Sequence, residues 1–525
     1  MSTSSIQPVL IDGAWTESDS VSTFAPVNPL TKEPTNEIYP VSSIKDVETA
    51  IECAAEASDD LLNFDPTTIA DFLECYADRI EARRSDLVDM AHLETAYPKE
   101  TRLGGIELPR TINQLRQAAN AVRNRSWMSP TIDTQTNIRS MYAALEGGVV
   151  VFGPNNFPFA FGSISGGDFA AAVAAGNPVI AKANSSHPGT TRLFAEEALE
   201  AVKNLGLPNS MVQLIYRTHH DVGERLVSHP LVGATGYTGS RVAGLVLKNA
   251  ADRAGKPIYL ELSSVNPVVI LPGALQERGA EIAEEFVSSC LLGTGQFCTN
   301  PGLMILQKDT GTDLFIQSVS QKFRDAPVGT LLGESVEKGM VAGVQTLQDA
   351  GAELIVGGRS GGGTGFCHQN TLLQVTGAQF LSQAENLQKE IFGNESLLVL
   401  ADDLDQAHQV LRLLEGNLTG TIYSASDGTD DIAYGRVASI LRRKVGRLIN
   451  DKMPTGVAVS SAMNHGGPFP ATGHPSFTSV GIPAAITRFS QLQCFDNVSS
   501  NHLPVELQDE NPLGIWRFID GEWIH

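Results

Sequence analysis

The chain has 525 residues, of which 42% are hydrophobic and 18% charged, so it contains enough apolar residues for more than one buried core. Its formal net charge of −22, with 37 dispersed Lys and Arg residues, argues against a nucleic-acid partner because phosphate binding requires clustered cations. No segment approaches the roughly 18 consecutive apolar residues of a membrane helix, and the N-terminus has no signal-peptide pattern, which predicts a cytoplasmic protein without a membrane partner.

Both ends of the chain carry a hairpin signal. "VLIDGAW" at 9–15 and "FIDGEW" at 518–523 each contain Asp-Gly between apolar residues, a dipeptide that favours a two-residue type I′ turn. Between about residues 44 and 125, apolar residues recur every three or four positions, as in "TTIADFLECYADRIEARRSDLVDMAHL". This spacing predicts amphipathic helices.

From residue 148 the pattern changes to short β-branched runs separated by helical stretches. The predicted strands are "GVVVFG", "VIAK", "MVQLIY", "VGATGY" and "IYLEL". Five strands with helical crossovers in about 115 residues predict an α/β fold with a doubly wound parallel sheet, which binds ligands at the carboxyl ends of its strands. A second α/β series begins after Glu261 with the strand "NPVVIL".

Two features at the predicted carboxyl edge of this sheet suit a phosphate. Gly239 and Gly244 in "GYTGSRVAG" begin a helix, whose backbone amides and dipole could face a pyrophosphate. Lys182 closes the strand "VIAK" on the same edge. Taken singly, the glycines could serve backbone geometry alone and the lysine could be solvated.

The loop "GTGQFCTNPG" makes Cys298 a candidate nucleophile, because flanking glycines leave a thiol accessible. Glu261 in "LELSS" is a candidate base, and Asn155 and Asn156 in "GPNNFPF" are candidate donors to an oxyanion. A buried structural cysteine, two turn-forming asparagines and an exposed carboxylate are the alternatives. The six cysteines form no CxxC pair, which argues against a disulfide framework or a metal site and for a reducing compartment.

The motifs "GPNNFPFAF", "VIAK", "GYTGS", "YLELSSVNP", "GTGQFCTN" and "EIFG" occur in this order, and together they resemble the aldehyde dehydrogenase superfamily over nearly the whole chain. The resemblance implies that Cys298 is the nucleophile, Glu261 the general base and Asn156 the oxyanion donor. It also implies cofactor-binding residues, namely Lys182, Gly239 and Ser240 at the adenosine and pyrophosphate end and Glu390 and Phe392 at the nicotinamide ribose.

Longer motifs, "ELSSVNPVVILPG", "PTGVAVSSAMNHGGPFPAT" and "DENPLGIWRFIDGEW", resemble the branch that contains α-ketoglutarate semialdehyde dehydrogenases. The resemblance implies NAD(P)-dependent oxidation of this aldehyde to the acid through a cysteine thioester. Three positions depart from the family's pattern: Asn155 replaces a tryptophan, Ser263-Ser264 replaces a double glycine, and Asn394 replaces a frequent proline.

Ser185 stands where NAD-preferring relatives have a glutamate that repels a 2′-phosphate, so we expect NADP to be preferred, with NAD possible. Arg217 and the pair His219-His220 are further candidates near that phosphate. A substrate carboxylate would need a local anchor on so acidic a protein, and Asn464 and His465 in "SSAMNHGG" are candidates.

The resemblance also implies the architecture and assembly. Residues 1–128 and 149–263 are expected to form a cofactor-binding domain, 264–479 an α/β catalytic domain, 129–148 and 480–500 a small β bridging element, and 501–525 a C-terminal tail. Family members assemble through the bridging element, so a homodimer or homotetramer is expected. Four alternatives remain: a broad or fatty aldehyde dehydrogenase, a coenzyme A-acylating enzyme, a cofactor-free cysteine hydrolase, and a non-catalytic structural or binding protein.

Overall fold

The computed structural model describes residues 5–525. The strands of this part, in chain order, are β1 (Val9–Ile11), β2 (Ala14–Thr16), β3 (Thr23–Phe24), β4 (Tyr39–Pro40), β5 (Thr131–Asp133), β6 (Ile138–Ala144), β7 (Gly148–Phe152), β8 (Val179–Lys182), β9 (Val212–Ile215), β10 (Val232–Thr238), β11 (Ile258–Glu261), β12 (Val268–Ile270), β13 (Leu303–Gln307), β14 (Glu353–Val356), β15 (Thr371–Thr376), β16 (Glu395–Ala401), β17 (Asn417–Tyr423), β18 (Val445–Asn450), β19 (Ser490–Asp496), β20 (Arg517–Ile519) and β21 (Glu522–Ile524).

The α-helices are α1 (Ile44–Leu61), α2 (Pro66–Ala82), α3 (Arg84–Thr95), α4 (Leu108–Asn124), α5 (Gly167–Ala174), α6 (Pro188–Leu205), α7 (His220–Ser228), α8 (Arg241–Arg253), α9 (Pro272–Leu291), α10 (Thr310–Asp325), α11 (Glu334–Asp349), α12 (Gly377–Leu387), α13 (Leu404–Leu413) and α14 (Asp431–Leu441). A π-helical segment, Lys99–Glu107, leads directly into α4. None of the helices within residues 5–525 is long and apolar enough to cross a membrane.

The first sheet has the strand order β11-β10-β7-β8-β9-β1-β2. Its five strands from β7 to β11 are parallel and are joined by α5, α6, α7 and α8, which confirms the predicted doubly wound sheet. β1 and β2 form the predicted N-terminal hairpin, with Asp12 and Gly13 both at positive φ, and add to β9. The chain leaves β7 towards β8 on one side and returns to β10 on the other, so the ligand crevice is expected at the carboxyl ends of β7 and β10.

The second sheet has the order β14-β15-β16-β13-β12-β17-β18 and is parallel except at β14. Side chains alternate between two hydrophobic cores: Leu303 and Ile305 belong to one, and Met304 and Leu306 to the other. Parallel strands covered on both faces read as continuous apolar runs, which is why "NPVVIL" predicts a buried strand. The loop with Cys298 connects α9 to β13 of this sheet.

The third sheet has the order β19-β6-β5-β20-β21. β6 and β19 come from the two segments that the sequence analysis assigns to a bridging element, and they pair in antiparallel fashion. The C-terminal residues, expected to form a separate tail, contribute the predicted Asp-Gly hairpin β20-β21 to this sheet. The domain boundaries of the sequence analysis stay a prediction.

Candidate active site

The loop that carries Cys298 has a specific backbone shape. Gly293, Thr294 and Gly295 all adopt positive φ, at 57°, 59° and 67°. A Cβ on Gly295 would lie only 2.0 Å from the carbonyl oxygen of Gly393. A glycine is therefore needed here, because it allows the cysteine loop to pack directly on the loop that contains Glu390 and Phe392.

One imidazole nitrogen joins the candidate nucleophile to the candidate base. His465 Nε2 lies 3.5 Å from Cys298 Sγ and 2.7 Å from Glu261 Oε1. The hydroxyl of Ser479 donates to Glu261 Oε2 at 2.8 Å. Glu261 ends β11, while His465 and Ser479 lie in the long segment between β18 and β19, so three distant parts of the chain meet here.

The electrostatics of this cluster favour a protonated thiol and an ionised carboxylate. Burial, and then the charge of Glu261, raise the pKa of Cys298 well above its ordinary value. Burial also acts to raise the pKa of Glu261, but its contacts with His465 and Ser479 outweigh burial, so this pKa is lowered. The thiol must therefore lose a proton before it can attack, and a group that accepts protons touches it.

Asn156 is buried, and its side chain lies beside the cysteine loop. Its side-chain amide Nδ2 donates one hydrogen bond to the carbonyl of Gln296 at 2.9 Å, and its backbone carbonyl accepts from Arg102 at 3.2 Å. The second amide hydrogen is available for an oxygen near Cys298. His187 Nε2 bonds the Pro154 carbonyl at 2.9 Å and so holds the turn that leads to Asn156.

Seven of the predicted site residues line one cavity of about 400 Å³: Asn156, Gly239, Ser240, Glu261, Cys298, Glu390 and Phe392. The two others, Lys182 and Ser185, line a neighbouring cavity of about 560 Å³, which Gly239 and Ser240 also border. Both cavities lie at the carboxyl ends of β7 and β10, where the topology of the first sheet predicts a ligand crevice. The reacting groups and the candidate cofactor groups are thus contiguous.

Two cationic side chains line the neighbouring cavity. Lys182 and Arg217 both line it, and burial together with the charge of Arg217 lowers the pKa of Lys182 to about 8. Within residues 5–525, no carboxylate oxygen lies within 4.0 Å of either cation. Two like charges held together without a counter-ion form a site for an anion such as a phosphate.

Two of the three departures from the family pattern make specific contacts in the loop that contains Glu390. Burial raises the pKa of Glu390 to about 7, while hydrogen bonds from Ser264 and Ser263 oppose that rise. Asn394 is buried, and its amide donates to the His368 carbonyl and the Asn370 side chain, both at 2.8 Å. Side-chain hydrogen bonds thereby fix the end of the Glu390 loop where relatives often have proline.

Comparison with known proteins identifies the family. A sequence model described as the aldehyde dehydrogenase family matches residues 15–450. An α-ketoglutaric semialdehyde dehydrogenase from Azospirillum brasilense is 39% identical over 525 residues, covering 98% of both chains. The chain belongs to the aldehyde dehydrogenase family. A second relative, the α-ketoglutaric semialdehyde dehydrogenase of Acinetobacter baylyi, is 37% identical and covers 95% of both chains.

Solved aldehyde dehydrogenases share this fold. A mutant of aldehyde dehydrogenase C from Pseudomonas syringae, in complex with NAD+ and octanal, has a TM-score of 0.78 at 21% identity and covers 94% of this chain and 99% of its own. A 3,6-anhydro-L-galactose dehydrogenase in complex with NADP has a TM-score of 0.80 at 20% identity, with the same coverage. The family uses nicotinamide cofactors, and these two structures contain different ones.

Sequence reasoning misses the position of His465 in this aldehyde dehydrogenase. The sequence analysis considers His465 and Asn464 as anchors for a substrate carboxylate, whereas His465 contacts Cys298 and Glu261, and Asn464 donates to the Gly446 carbonyl at 3.0 Å. The only sequence signal was a histidine beside two glycines. The ligand atoms of Glu261, Cys298 and His465 lie within 4.8 Å of one another, a set that Zn²⁺ could engage, so the expected absence of a metal site stays a prediction.

Proposed function

We propose that this protein oxidises α-ketoglutarate semialdehyde to α-ketoglutarate with a nicotinamide cofactor, NADP in preference to NAD. The two most similar full-length relatives named above, both called α-ketoglutaric semialdehyde dehydrogenases, support the substrate. The observation that carries the chemistry is the single cavity that contains the Cys298 thiol, the Glu261 carboxylate and the Glu390–Phe392 loop.

The first step is thiol addition to the aldehyde. His465 Nε2, 3.5 Å from the sulfur, accepts the thiol proton, and the resulting imidazolium donates this N–H to Glu261, 2.7 Å away. The Cys298 sulfur then bonds the aldehyde carbon, and the oxygen, now negatively charged, accepts a hydrogen bond from the Asn156 amide. The imidazole thus removes the proton that burial keeps on the thiol.

The bound cofactor supplies one function: it accepts the hydride that leaves the substrate carbon, so that a thioester of Cys298 remains. Glu261 then takes a proton from water, the hydroxide adds to the thioester carbonyl, and the C–S bond breaks. The products are the carboxylic acid and the Cys298 thiolate, which is reprotonated. Glu261 makes hydrolysis a better fit than transfer to coenzyme A.

The choice of NADP is supported by the residues at the adenosine end. Lys182, Arg217 and Ser185 line one cavity, and Ser185 carries no charge that would repel a phosphate. Ser240 caps α8, and with Gly239 it presents the start of that helix to the same cavity, which suits a pyrophosphate. We therefore assign these five residues to the cofactor, with Glu390 and Phe392 at the nicotinamide ribose.

The decisive experiment is an aldehyde panel assayed with NADP and with NAD, following the absorbance of the reduced cofactor. We expect the highest kcat/KM for α-ketoglutarate semialdehyde with NADP. The kcat/KM values for succinate semialdehyde and for pentanal should be lower. Equal use of pentanal would indicate a broad or fatty aldehyde dehydrogenase. Aldehyde consumption without cofactor reduction, or no reaction at all, would favour a hydrolase or a non-catalytic protein.

A cytoplasmic location and a homodimer or homotetramer complete the proposal. All six cysteines are free thiols, which suits a reducing compartment. Assembly would use the third sheet, whose β19 pairs with a neighbour on one side only.

A further inference from the structure

Two arginines beside the cysteine loop are not explained by the chemistry above. Arg110 lies in the first turn of α4 and Arg447 in β18, and both side chains are half-buried. In the described part of the chain, no carboxylate oxygen lies within 4.0 Å of either guanidinium. A half-buried guanidinium without a counter-ion is costly unless a ligand supplies one.

Both arginines hold the same loop, and this loop lies against the nucleophile. Arg447 donates to the carbonyls of Pro454 and Gly456, each at 3.1 Å, and Arg110 donates to the carbonyl of Val457. The amide of Gly456 in turn donates to the hydroxyl of Thr299 at 3.2 Å. Thr299 follows Cys298 in the chain, so the two guanidinium groups hold a loop that contacts the residue next to the thiol.

A second chain of contacts leads from Arg110 to the thiol. The Arg110 guanidinium lies 5.3 Å from the centre of the Phe161 ring, which lies 5.8 Å from the ring of His465. His465 contacts Cys298 at 3.5 Å. The Phe161 ring therefore packs against both this guanidinium and the ring of His465.

Each guanidinium retains an N–H group that no described protein atom accepts from. Arg110 Nη2 and Arg447 Nε are both buried and have no hydrogen-bond partner within residues 5–525. Glu107, the acidic residue nearest to Arg110 in the helix, pairs instead with Arg102 at 3.5 Å and accepts from the amides of Phe159 and Ala160. The charges of both arginines also act on Cys298.

We propose that Arg110 and Arg447 together bind the carboxylate of the substrate, at the end opposite to the aldehyde that Cys298 attacks. This inference rests on the proposed function and specifies its substrate class: short aldehydes with a carboxylate at the far end. Guanidinium groups match a carboxylate in geometry and charge, and on a protein of net charge −22 only a local site can attract that anion. Neither arginine lines the two cofactor-side cavities.

The test compares Arg110→Met and Arg447→Met with the wild type on α-ketoglutarate semialdehyde and on pentanal, an uncharged aldehyde of equal length. Arg116→Met is the matched control, because Arg116 lies on the same helix, is exposed and pairs with Asp78 at 2.8 Å. We expect each arginine variant to lower the ratio of kcat/KM for the semialdehyde to that for pentanal by about 10- to 100-fold, the range for one charge-assisted hydrogen bond. The control should leave the ratio unchanged.

Inhibition by α-ketoglutarate gives a second readout. α-Ketoglutarate should compete with pentanal in the wild type, and its inhibition constant should rise by a similar factor in both arginine variants. Arg110→Lys keeps the charge and should recover part of the preference, which protects the test if Arg110→Met unfolds, as checked by thermal melting. The Arg447 variant provides the same comparison independently.

The outcomes separate this inference from the proposed function. If the wild type uses both aldehydes equally and α-ketoglutarate does not inhibit it, the substrate in the proposed function is wrong. If the wild type prefers the semialdehyde and the arginine variants keep that preference, or lose activity equally on both aldehydes, then the arginines do not bind the carboxylate.

Discussion

His465 Nε2 is shared between the thiol and the carboxylate of the active site. Because burial and Glu261 raise the pKa of Cys298, the thiolate is scarce at neutral pH unless a neighbour takes its proton. In the proposed mechanism the imidazole does so at 3.5 Å, and the adjacent Glu261 carboxylate stabilises the imidazolium. In this mechanism His465 therefore serves acylation and Glu261 serves deacylation.

We expect His465→Gln to slow the first turnover by roughly 10²- to 10⁴-fold at pH 7, the usual contribution of a general base. The rate should recover as the pH rises, because hydroxide then ionises the thiol directly. Rapid-mixing measurement of reduced-cofactor formation over a pH series tests this. Ser479→Ala is the control, since it leaves the contact between His465 and Cys298 in place. An unchanged first turnover in the His465 variant would contradict the role.

Glu261→Gln should separate the two halves of the reaction. Hydride transfer precedes water attack, so the variant should still release about one equivalent of reduced cofactor per active site and then nearly stop. Single-turnover kinetics provide the measurement, and Cys298→Ala, which should show neither phase, is the control. Loss of the initial phase in the Glu261 variant would mean that this carboxylate acts before the thioester forms.

Cofactor preference should depend on pH and on Arg217. Lys182 has a pKa of about 8 and is charged below that value, so affinity of the free enzyme for NADP should fall as the pH rises through 8, whereas affinity for NAD should change little. Arg217→Gln should weaken NADP binding about 10-fold or more, and Ser185→Glu should favour NAD. Fluorescence titration measures each affinity, and equal effects on both cofactors would exclude a phosphate site here.

The sequence predicts these residues unevenly, for a physical reason. Cys298, Glu261 and Asn156 each lie in a short motif with a strand end or glycine turn beside it, so local pattern and motif order suffice to nominate them. His465 and Arg110 become visible only when β11, α4 and the segment after β18 fold together. Neither residue has a local sequence signature that reveals its role, because an arginine in a helix or a histidine in a loop has the same sequence surroundings when it has no function.

At the level of elements, a distant carboxylate caps one helix of the first sheet. Glu94 in α3 is buried and accepts hydrogen bonds from the amides of Gly189 and Thr190 at 2.8 and 2.9 Å, in the first turn of α6. α6 has no side-chain cap of its own from His187. The carboxylate therefore satisfies backbone donors that would otherwise be buried without a partner.

Glu94→Ala should lower the free energy of unfolding by about 1–3 kcal/mol, because it leaves these donors without an acceptor. Glu94→Gln keeps one acceptor oxygen and should lose less. Chemical denaturation measures both, with Glu200→Ala, whose side chain is 46% exposed on α6, as the control. Equal stability of the alanine variant and the wild type would show that α6 does not need this cap.

The same carboxylate gives the stability a pH dependence. Burial raises the pKa of Glu94 to about 7 from an ordinary 4.5, even though its hydrogen bonds oppose the rise. A group whose pKa is raised on folding binds its proton more tightly in the folded state, so its contribution is complete below pH 4.5 and is lost as the pH rises through 7. The glutamine variant should therefore show a smaller loss of stability across this range.

Over the whole molecule, the parallel sheets are easier to predict than their assembly. Buried β-branched runs alternate with helices, so the five parallel strands of the first sheet and the start of the second follow from the sequence. The third sheet instead collects strands from residues 131–144, 490–496 and 517–524. In its short strands apolar and polar residues alternate only weakly, and the sequences of the two Asp-Gly hairpins do not indicate which strands they pair with. The role of the C-terminal segment in that sheet therefore emerges only from the structure.

Assembly should depend on the free edge of this third sheet. β19 ends the strand order, so one row of its backbone N–H and C=O groups has no partner strand within residues 5–525, and Leu492 in that strand is 61% exposed. An exposed strand edge with an apolar side chain favours pairing with a second chain.

We expect light scattering to show a dimer or tetramer, and Leu492→Lys to shift the protein towards smaller species by placing a charge at the contact. Leu314→Lys, at a leucine that is 67% exposed on α10, should not change the assembly. A monomeric wild type, or a Leu492 variant that assembles normally, would show that this edge is not the contact.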